Sequence, residues 1–183
     1  RPSLAPGVLV NEQNMNEIVG RMNVVFITID TLRYDVAKRL FDEGRTPNFA
    51  KLFPQGWEHR HTPGTFTLAA HQAFFAGFLP TPARPGRHPR LFAARFEGSE
   101  TTSPNTAVFD EATWIEGFAA KGYDTICIGG VGFFNMRNAL GEVLPSYFSH
   151  AYWDETLGVT CSDSTKNQFT LAADKLCAAN GKL

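Results

Sequence analysis

The stretch NVVFITIDTLRYD, residues 23–35, determines the fold that we expect for this chain. An uninterrupted run of apolar or β-branched residues extends from Val24 to Ile29 and leads directly into Asp30. A continuous run without alternation is typical of a strand that is covered on both faces, as in a parallel sheet. Open α/β sheets bind their ligands at the carboxyl ends of such strands. The sequence therefore predicts a buried strand at 23–30 and makes Asp30 the first candidate for chemistry.

Composition indicates a globular domain of ordinary size. The chain has 183 residues, of which 43% are hydrophobic and 19% charged, and its net charge is −1. These values exclude a disordered chain and give no reason to expect nucleic acid or an anionic membrane as a partner. No apolar run approaches about 18 residues, so no membrane-spanning helix is expected. The three cysteines share no CxxC spacing, which favours a reducing, cytoplasmic location.

The rest of the chain alternates between helical and strand patterns. Helices are predicted at 34–43 (ending at Gly44), from Pro47 to Phe53 with Thr46 as N-cap, and at 66–78, 110–121 and 164–179, with a second buried strand at 123–129. Residues 80–106, rich in proline and arginine, are predicted to be an irregular insertion. This succession indicates a single α/β sandwich domain over residues 1–183.

A second informative stretch is TFTLAAHQAFFAGFLP, residues 65–80. Together with ITIDTLRYD and TPNFAKL, it resembles the N-terminal half of the sulfatase branch of the alkaline phosphatase superfamily, over roughly residues 22–180. In that family a strand ends in an Asp, and the nucleophile opens a helix that ends in Gly and a hydrophobic-Pro pair. Counting back from Gly77 along this pattern places the nucleophile on Thr67.

The resemblance implies a three-layer sandwich with a mostly parallel sheet, alkaline phosphatase-like and incomplete. It also implies one or two divalent metal ions, zinc or manganese, with Asp30 and Thr67 among their ligands. Family sulfatases carry a C/S-x-P-x-R motif, but residues 67–71 here read TLAAH, with no Cys or Ser to convert to formylglycine. The pattern is therefore more similar to the phosphodiesterase, phosphomutase and phosphonate-hydrolase relatives, in which an unmodified Thr attacks phosphorus. The expected substrate is a small anionic ester.

Physical chemistry supports Thr67 independently of the resemblance. A hydroxyl at a helix N-terminus lies among free backbone N–H groups at the positive end of the helix dipole, which stabilises an alkoxide and an incoming phosphate-like anion. A Thr hydroxyl also needs a base or a metal to lower its pKa, and a metal held by Asp30 would do so. The alternatives are that Thr67 is an ordinary helix cap and that Asp30 caps a turn.

Other polar residues have weaker claims to the site. His71, four residues after Thr67, is expected to contact the transferred group or to orient the nucleophile, and the alternative is a partly buried His bonded to backbone. Arg33 approaches an anion or pairs with Asp35, and Asn135 lines the site at the carboxyl end of the second strand.

An HxH pair, His59 and His61, precedes the proposed nucleophile. In an extended segment these two side chains would point to one side, which would suit a metal. The family pattern gives the pair no counterpart, and surface histidines without a function are the preferred interpretation.

The later Asp and His ligands of the family have no match in this chain. A single Asp and a Thr are too few to hold a divalent cation tightly. We therefore expect a missing C-terminal segment or a second polypeptide to supply the others. The alternative is a non-catalytic α/β module that keeps the scaffold for binding or assembly. A flavodoxin-like or nucleotide-binding fold lacks support because no Gly-rich loop follows the first strand.

Overall fold

The computed structural model describes residues 19–77, 93–94, 107–108 and 112–179. The chain divides into two compact units, one formed by residues 26–62 and the other by residues 1–25 together with 63–183. Helices and parallel strand pairs are both present, so the fold is mixed α/β. Over the described residues, no helix combines the length and the apolar character that crossing a bilayer requires.

The unit 26–62 contains two helices, both predicted from sequence: α1 (Tyr34–Asp42) and α2 (Pro47–Leu52). Gly44 ends the first helical segment with φ +70°, a left-handed conformation that favours glycine. Phe49 stacks on Trp57 with ring centroids 4.3 Å apart, which joins α2 to the segment after it. Aromatic stacking therefore contributes to the packing of this small unit.

The predicted cap of α2 is wrong in one respect. Thr46 does precede the helix, with Pro47 at the first helical position, but the Thr46 side chain makes no capping hydrogen bond. The backbone of Thr46 has φ −121° and ψ 59°, outside the extended conformation that N-cap residues normally adopt. Its hydroxyl is buried and has no hydrogen-bond partner in the described ranges.

The predicted first strand is also wrong. Residues 23–29 form no strand, and the exposed fractions of Val25, Phe26, Ile27 and Ile29 lie between 52% and 58%. An apolar run records a preference for burial, but burial requires other elements that cover both faces. None of the strand pairs in the described ranges includes this stretch. The sequence pattern alone could not reveal whether this run would pair with another strand.

The described part of the second unit contains four α-helices: α3 (Thr67–Ala76), α4 (Trp114–Ala119), the short α5 (Ala139–Glu142) and α6 (Ser164–Ala178). The helices predicted at 66–78, 110–121 and 164–179 are confirmed as α3, α4 and α6. Helix α4 begins later than predicted because Thr113 and Glu116 form a capping box at its start. Gly77 ends α3 with φ +75°.

The described strands form two parallel pairs. β1 (Ala93–Ala94) pairs with β2 (Ala107–Val108), and β3 (Ile126–Ile128) pairs with β4 (His150–Tyr152). β3 confirms the strand predicted at 123–129, whereas β4 was not predicted. Of the insertion predicted at 80–106, only residues 93–94 lie within the described ranges.

A hydrophobic core fixes α3 against α4 and β3. Its buried members are Leu68, Phe75, Ile115, Cys127, Phe134 and Leu144. Ile115 and Leu144 are fully buried, with exposed fractions of 0%. The Trp114 indole N–H also donates a 2.8 Å hydrogen bond to the Phe74 carbonyl, linking α4 to α3. The start of α3, which carries Thr67, is therefore held by packing along the whole helix.

Candidate functional site

Thr67 is the first residue of α3, as the sequence predicted for the nucleophile. Phe66 before it is extended, with φ −150° and ψ 165°, and it has no side-chain capping hydrogen bond. The first helical hydrogen bond runs from the Ala70 N–H to the Phe66 carbonyl, at 3.0 Å. The N–H groups of a helix's first turn point towards its N-terminus and carry the positive end of the dipole. Thr67 therefore lies where an anion is electrostatically favoured.

The loop before α3 lies directly against its first turn. A Cβ atom added at Gly64 would come within 2.6 Å of the Ala70 nitrogen and 2.8 Å of the Ala69 carbonyl carbon. Real Cβ atoms do not approach backbone so closely, so this approach requires a glycine. The close contact fixes the path by which the chain enters the helix at Thr67.

His71 is held by the backbone of Thr67. The His71 Nδ1 atom lies 2.8 Å from the Thr67 carbonyl oxygen. Because a carbonyl only accepts, Nδ1 carries the proton in this bond. The ring is buried and meets the edges of Phe74, Phe75 and Phe134 at centroid distances of 5.5, 5.8 and 5.2 Å. This geometry is that of a buried, backbone-bonded histidine, and a contact between His71 and a transferred group stays a prediction.

Gln72, beside His71, is a feature that sequence reasoning missed. Its exposed fraction is 8%, and neither polar atom of its carboxamide makes a hydrogen bond within the part of the chain that the structure describes. Gln72 is four residues after Leu68 and three before Phe75, so it shares the face of α3 that is buried in the core. Buried polar groups are normally hydrogen-bonded, and an unsatisfied one is destabilising. A break in the apolar periodicity of that face was the signal available in the sequence.

Asp30 belongs to the unit 26–62, whereas Thr67 belongs to the other unit, and the pairing of the two residues stays a prediction. Asp30 is exposed and begins a turn in which its carbonyl accepts a 2.8 Å hydrogen bond from the Thr31 hydroxyl. Thr31 has φ +57°, a left-handed conformation that is strained for a β-branched residue. The strained residue, Thr31, therefore directly follows the candidate metal ligand, Asp30.

Arg33 pairs with Asp35, one of the two roles considered for it. The guanidinium approaches the carboxylate at 2.6 Å and 3.1 Å, and both side chains are exposed. The hydrogen bond from Arg33 lowers the pKa of Asp35, and the same bond raises the pKa of Arg33. The Arg33 guanidinium is therefore already paired with a carboxylate, rather than being available by itself to bind an anion.

Asn135 follows a 3₁₀ turn, Gly132–Phe134, after β3. Its side-chain oxygen accepts a 3.0 Å hydrogen bond from the Arg137 backbone N–H, and its carbonyl accepts from the Asn138 side chain at 3.1 Å. Asn135 thus stabilises the loop to which it belongs.

The carboxyl end of β4 carries an acidic residue that sequence analysis overlooked. Asp154 lies just beyond β4, and its side chain accepts hydrogen bonds from the Thr156 hydroxyl at 2.6 Å and the Thr156 N–H at 2.7 Å. These bonds, led by the hydroxyl, lower the pKa of Asp154. The sequence contained the same signal that singled out Asp30, an acidic residue directly after an apolar run. It was overlooked because β4 was not predicted.

Arg137 and Glu155 form an ion pair near the same strand end, and the guanidinium carbon lies 5.5 Å from the centre of the Trp153 ring. Arg137 is thus engaged by a carboxylate and an aromatic face at once. Both charged side chains are largely exposed, so the pair contributes little to stability.

Within the described ranges, no three His, Cys, Asp or Glu side chains come together in a way that would hold a metal ion. Asp30 offers the hard oxygen that a divalent cation prefers, but further ligands would have to come from elsewhere. No family model, curated protein or solved structure matches this chain.

Proposed function

We propose that this chain forms part of a metal-dependent hydrolase of phosphate or phosphonate esters, with Thr67 as nucleophile. The observation that carries the proposal is the place of Thr67 at the start of the ten-residue helix α3, where the preceding residue contributes no capping side chain. An anionic ester suits this position because a helix N-terminus attracts negative charge. The proposal includes the finer fold expected from the resemblance, a three-layer sandwich with a mostly parallel sheet.

In this proposal Asp30 and Thr67 would each contribute a ligand to a zinc or manganese ion, and a second segment or polypeptide would supply the other ligands. When bound, the metal supplies Lewis acidity that lowers the pKa of the nucleophilic hydroxyl. The Thr67 Oγ1 atom would lose its proton to solvent and form a bond to phosphorus, while the bond from phosphorus to the ester oxygen breaks and that oxygen leaves as the alcohol after taking up a proton. Water would then attack phosphorus, which releases phosphate or phosphonate and returns a proton to Thr67 Oγ1. His71 acts as a positioning residue, because its Nδ1–H bond to the Thr67 carbonyl fixes the first turn.

Strain beside Asp30 supports the proposal. Residues held in sparsely populated backbone conformations cost about 1–3 kcal/mol each and cluster at functional sites. Thr31 is such a residue, with φ +57°. A turn that accepts this strain holds the Asp30 backbone in one defined orientation.

The test is hydrolysis of aryl phosphates and aryl phosphonates in the presence of zinc or manganese. We expect Thr67→Ala to reduce turnover to the uncatalysed rate without unfolding the protein. Thr170→Ala, a matched change at an exposed position in α6, should retain full activity. Turnover by Thr67→Ala at the wild-type rate would place the nucleophile elsewhere.

A second candidate function is binding or assembly without catalysis. It is favoured by the exposed apolar side chains of the segment 22–32, which include Met22 at 60% and Leu32 at 44%. Large exposed apolar patches mark interaction sites. A folded wild-type protein without turnover for either ester class, but with a stable complex in sedimentation, would support this function over the first.

A further inference from the structure

The HxH pair brings two imidazole rings together. The ring centroids of His59 and His61 are 5.6 Å apart, and the ring planes are inclined by 47°. Both residues are exposed, so solvent ions reach them. The sequence suggested that the two side chains share one side of the segment, and this distance agrees with that arrangement.

The separation of the two ring centroids is close to what a shared metal ion requires. A zinc–imidazole nitrogen bond is about 2.0–2.1 Å, and adding about 1.2 Å from the nitrogen to the ring centre places each centroid about 3.2 Å from the metal. At a near-tetrahedral angle, two such centroids are about 5–5.5 Å apart. The distance between the ring centroids of His59 and His61, 5.6 Å, lies just above this range.

One of the two rings is already oriented. The Tyr34 ring stacks on His59 with centroids 4.6 Å apart and planes inclined by 26°. Tyr34 is the first residue of α1, so His59 rests on a helix rather than moving freely with its segment. Restricting a ligand side chain before binding lowers the entropy lost on binding. The stacking therefore favours coordination by His59.

We propose that His59 and His61 form a binding site for a divalent transition-metal ion, with water completing its coordination. Imidazole nitrogens suit Zn²⁺, Ni²⁺ and Cu²⁺, whereas Mg²⁺ prefers oxygen ligands. By the general order of affinities, Cu²⁺ binds most tightly of these ions. The site uses other residues than the ligands proposed at Asp30 and Thr67, and it does not depend on the hydrolase proposal.

The experiment is titration of the whole chain, without a histidine tag, with Cu²⁺, Zn²⁺ and Mg²⁺ by calorimetry. We expect saturable binding of Cu²⁺ and Zn²⁺ and none of Mg²⁺ at this site. His59→Gln and His61→Gln should each weaken Cu²⁺ binding by about tenfold or more, because each removes one of two protein ligands. The matched control is His150→Gln, since His150 is also exposed but lies beside Asp124 in the other unit. It should bind Cu²⁺ like the wild type.

Two further measurements keep the outcomes distinct. Circular dichroism of each variant shows that it is folded, and Cu²⁺ should broaden the NMR signals of the His59 and His61 rings before that of His150. Asp30→Asn should leave this binding unchanged while abolishing any ester hydrolysis. The proposal is overturned if the wild type shows no saturable Cu²⁺ binding, if both His→Gln variants bind as the wild type does, or if only Asp30→Asn removes binding.

Discussion

Replacing Gln72 by Met should stabilise the protein, although it removes a polar group from the middle of a helix. The carboxamide of Gln72 is buried, and neither of its polar atoms has a hydrogen-bond partner among the described residues. An unsatisfied buried group costs about 1–3 kcal/mol, and an apolar side chain of similar shape removes that cost. Met matches Gln in length and in helix propensity, so the substitution changes little else. We expect the free energy of unfolding to rise by about 1–3 kcal/mol.

The assay is urea denaturation followed by circular dichroism, with the melting temperature as a second measure. For a chain of this size, 1 kcal/mol shifts the midpoint by about 2–4 °C, so the expected rise is about 2–12 °C. An unchanged slope of the urea transition would show that stability changed rather than the compactness of either state.

Gln168→Met is the matched control. The Gln168 amide donates a 2.8 Å hydrogen bond to the Leu157 carbonyl, so the same substitution there removes a real bond. It should lower the free energy of unfolding by about 0.5–1.5 kcal/mol. The two substitutions are therefore expected to change the free energy of unfolding in opposite directions. If Gln72→Met destabilises as much as Gln168→Met, the Gln72 amide is hydrogen-bonded in solution and the reasoning fails.

Other predictions use the same urea assay or a thiol reagent. Gly130→Ala should destabilise by about 1–3 kcal/mol, because its Cβ would lie 2.9 Å from the Leu157 carbonyl oxygen. Gly117→Ala in α4, where a Cβ meets nothing within 4 Å, should stabilise by about 0.5–1 kcal/mol. If Gly117→Ala were less stable than Gly130→Ala, both predictions would be contradicted. Burial raises the pKa of Cys127 to about 12, so a thiol reagent at neutral pH should modify exposed Cys177 and spare Cys127. Because the unfolded thiol ionises near pH 8.5, the contribution of Cys127 to stability should fall above that pH, relative to Cys127→Ser.

Helices were predictable because their signals are local. Gly44 and Gly77 adopt positive φ where the sequence predicted that helices stop, since glycine tolerates that conformation. Pro47 starts α2 for the complementary reason, because its fixed φ suits the first helical turn. These residues act within a few positions of themselves, so no knowledge of distant contacts is needed.

The strands were harder because their burial depends on distant residues. The apolar run at 23–29 favours a strand, yet these residues form none. By contrast, β4 (His150–Tyr152) begins with a histidine and lies in an aromatic segment, but it pairs in parallel with β3. Pairing partners, rather than the run itself, decide whether a segment becomes a strand.

In the candidate site, too, the local features could be predicted from the sequence, whereas those that depend on distant contacts could not. Thr67 at a helix start and its relation to His71 follow from the spacing of four residues, which any helix enforces. Gln72 was missed because glutamine on a helix is ordinarily exposed. The relation between Asp30 and Thr67 depends on tertiary structure, which no local pattern encodes.

The exposed run VVFITI, residues 24–29, has a consequence for how the protein behaves in solution. It contains no charge and no proline and is rich in β-branched residues, the composition of segments that stack into cross-β aggregates. Arg21 and Asp30 flank it, and charged residues in such positions act as gatekeepers that disfavour stacking of identical copies. A partner that covered this run would therefore also protect the chain from aggregation. Substitutions at Arg21 or Asp30 should affect solubility as well as any chemistry.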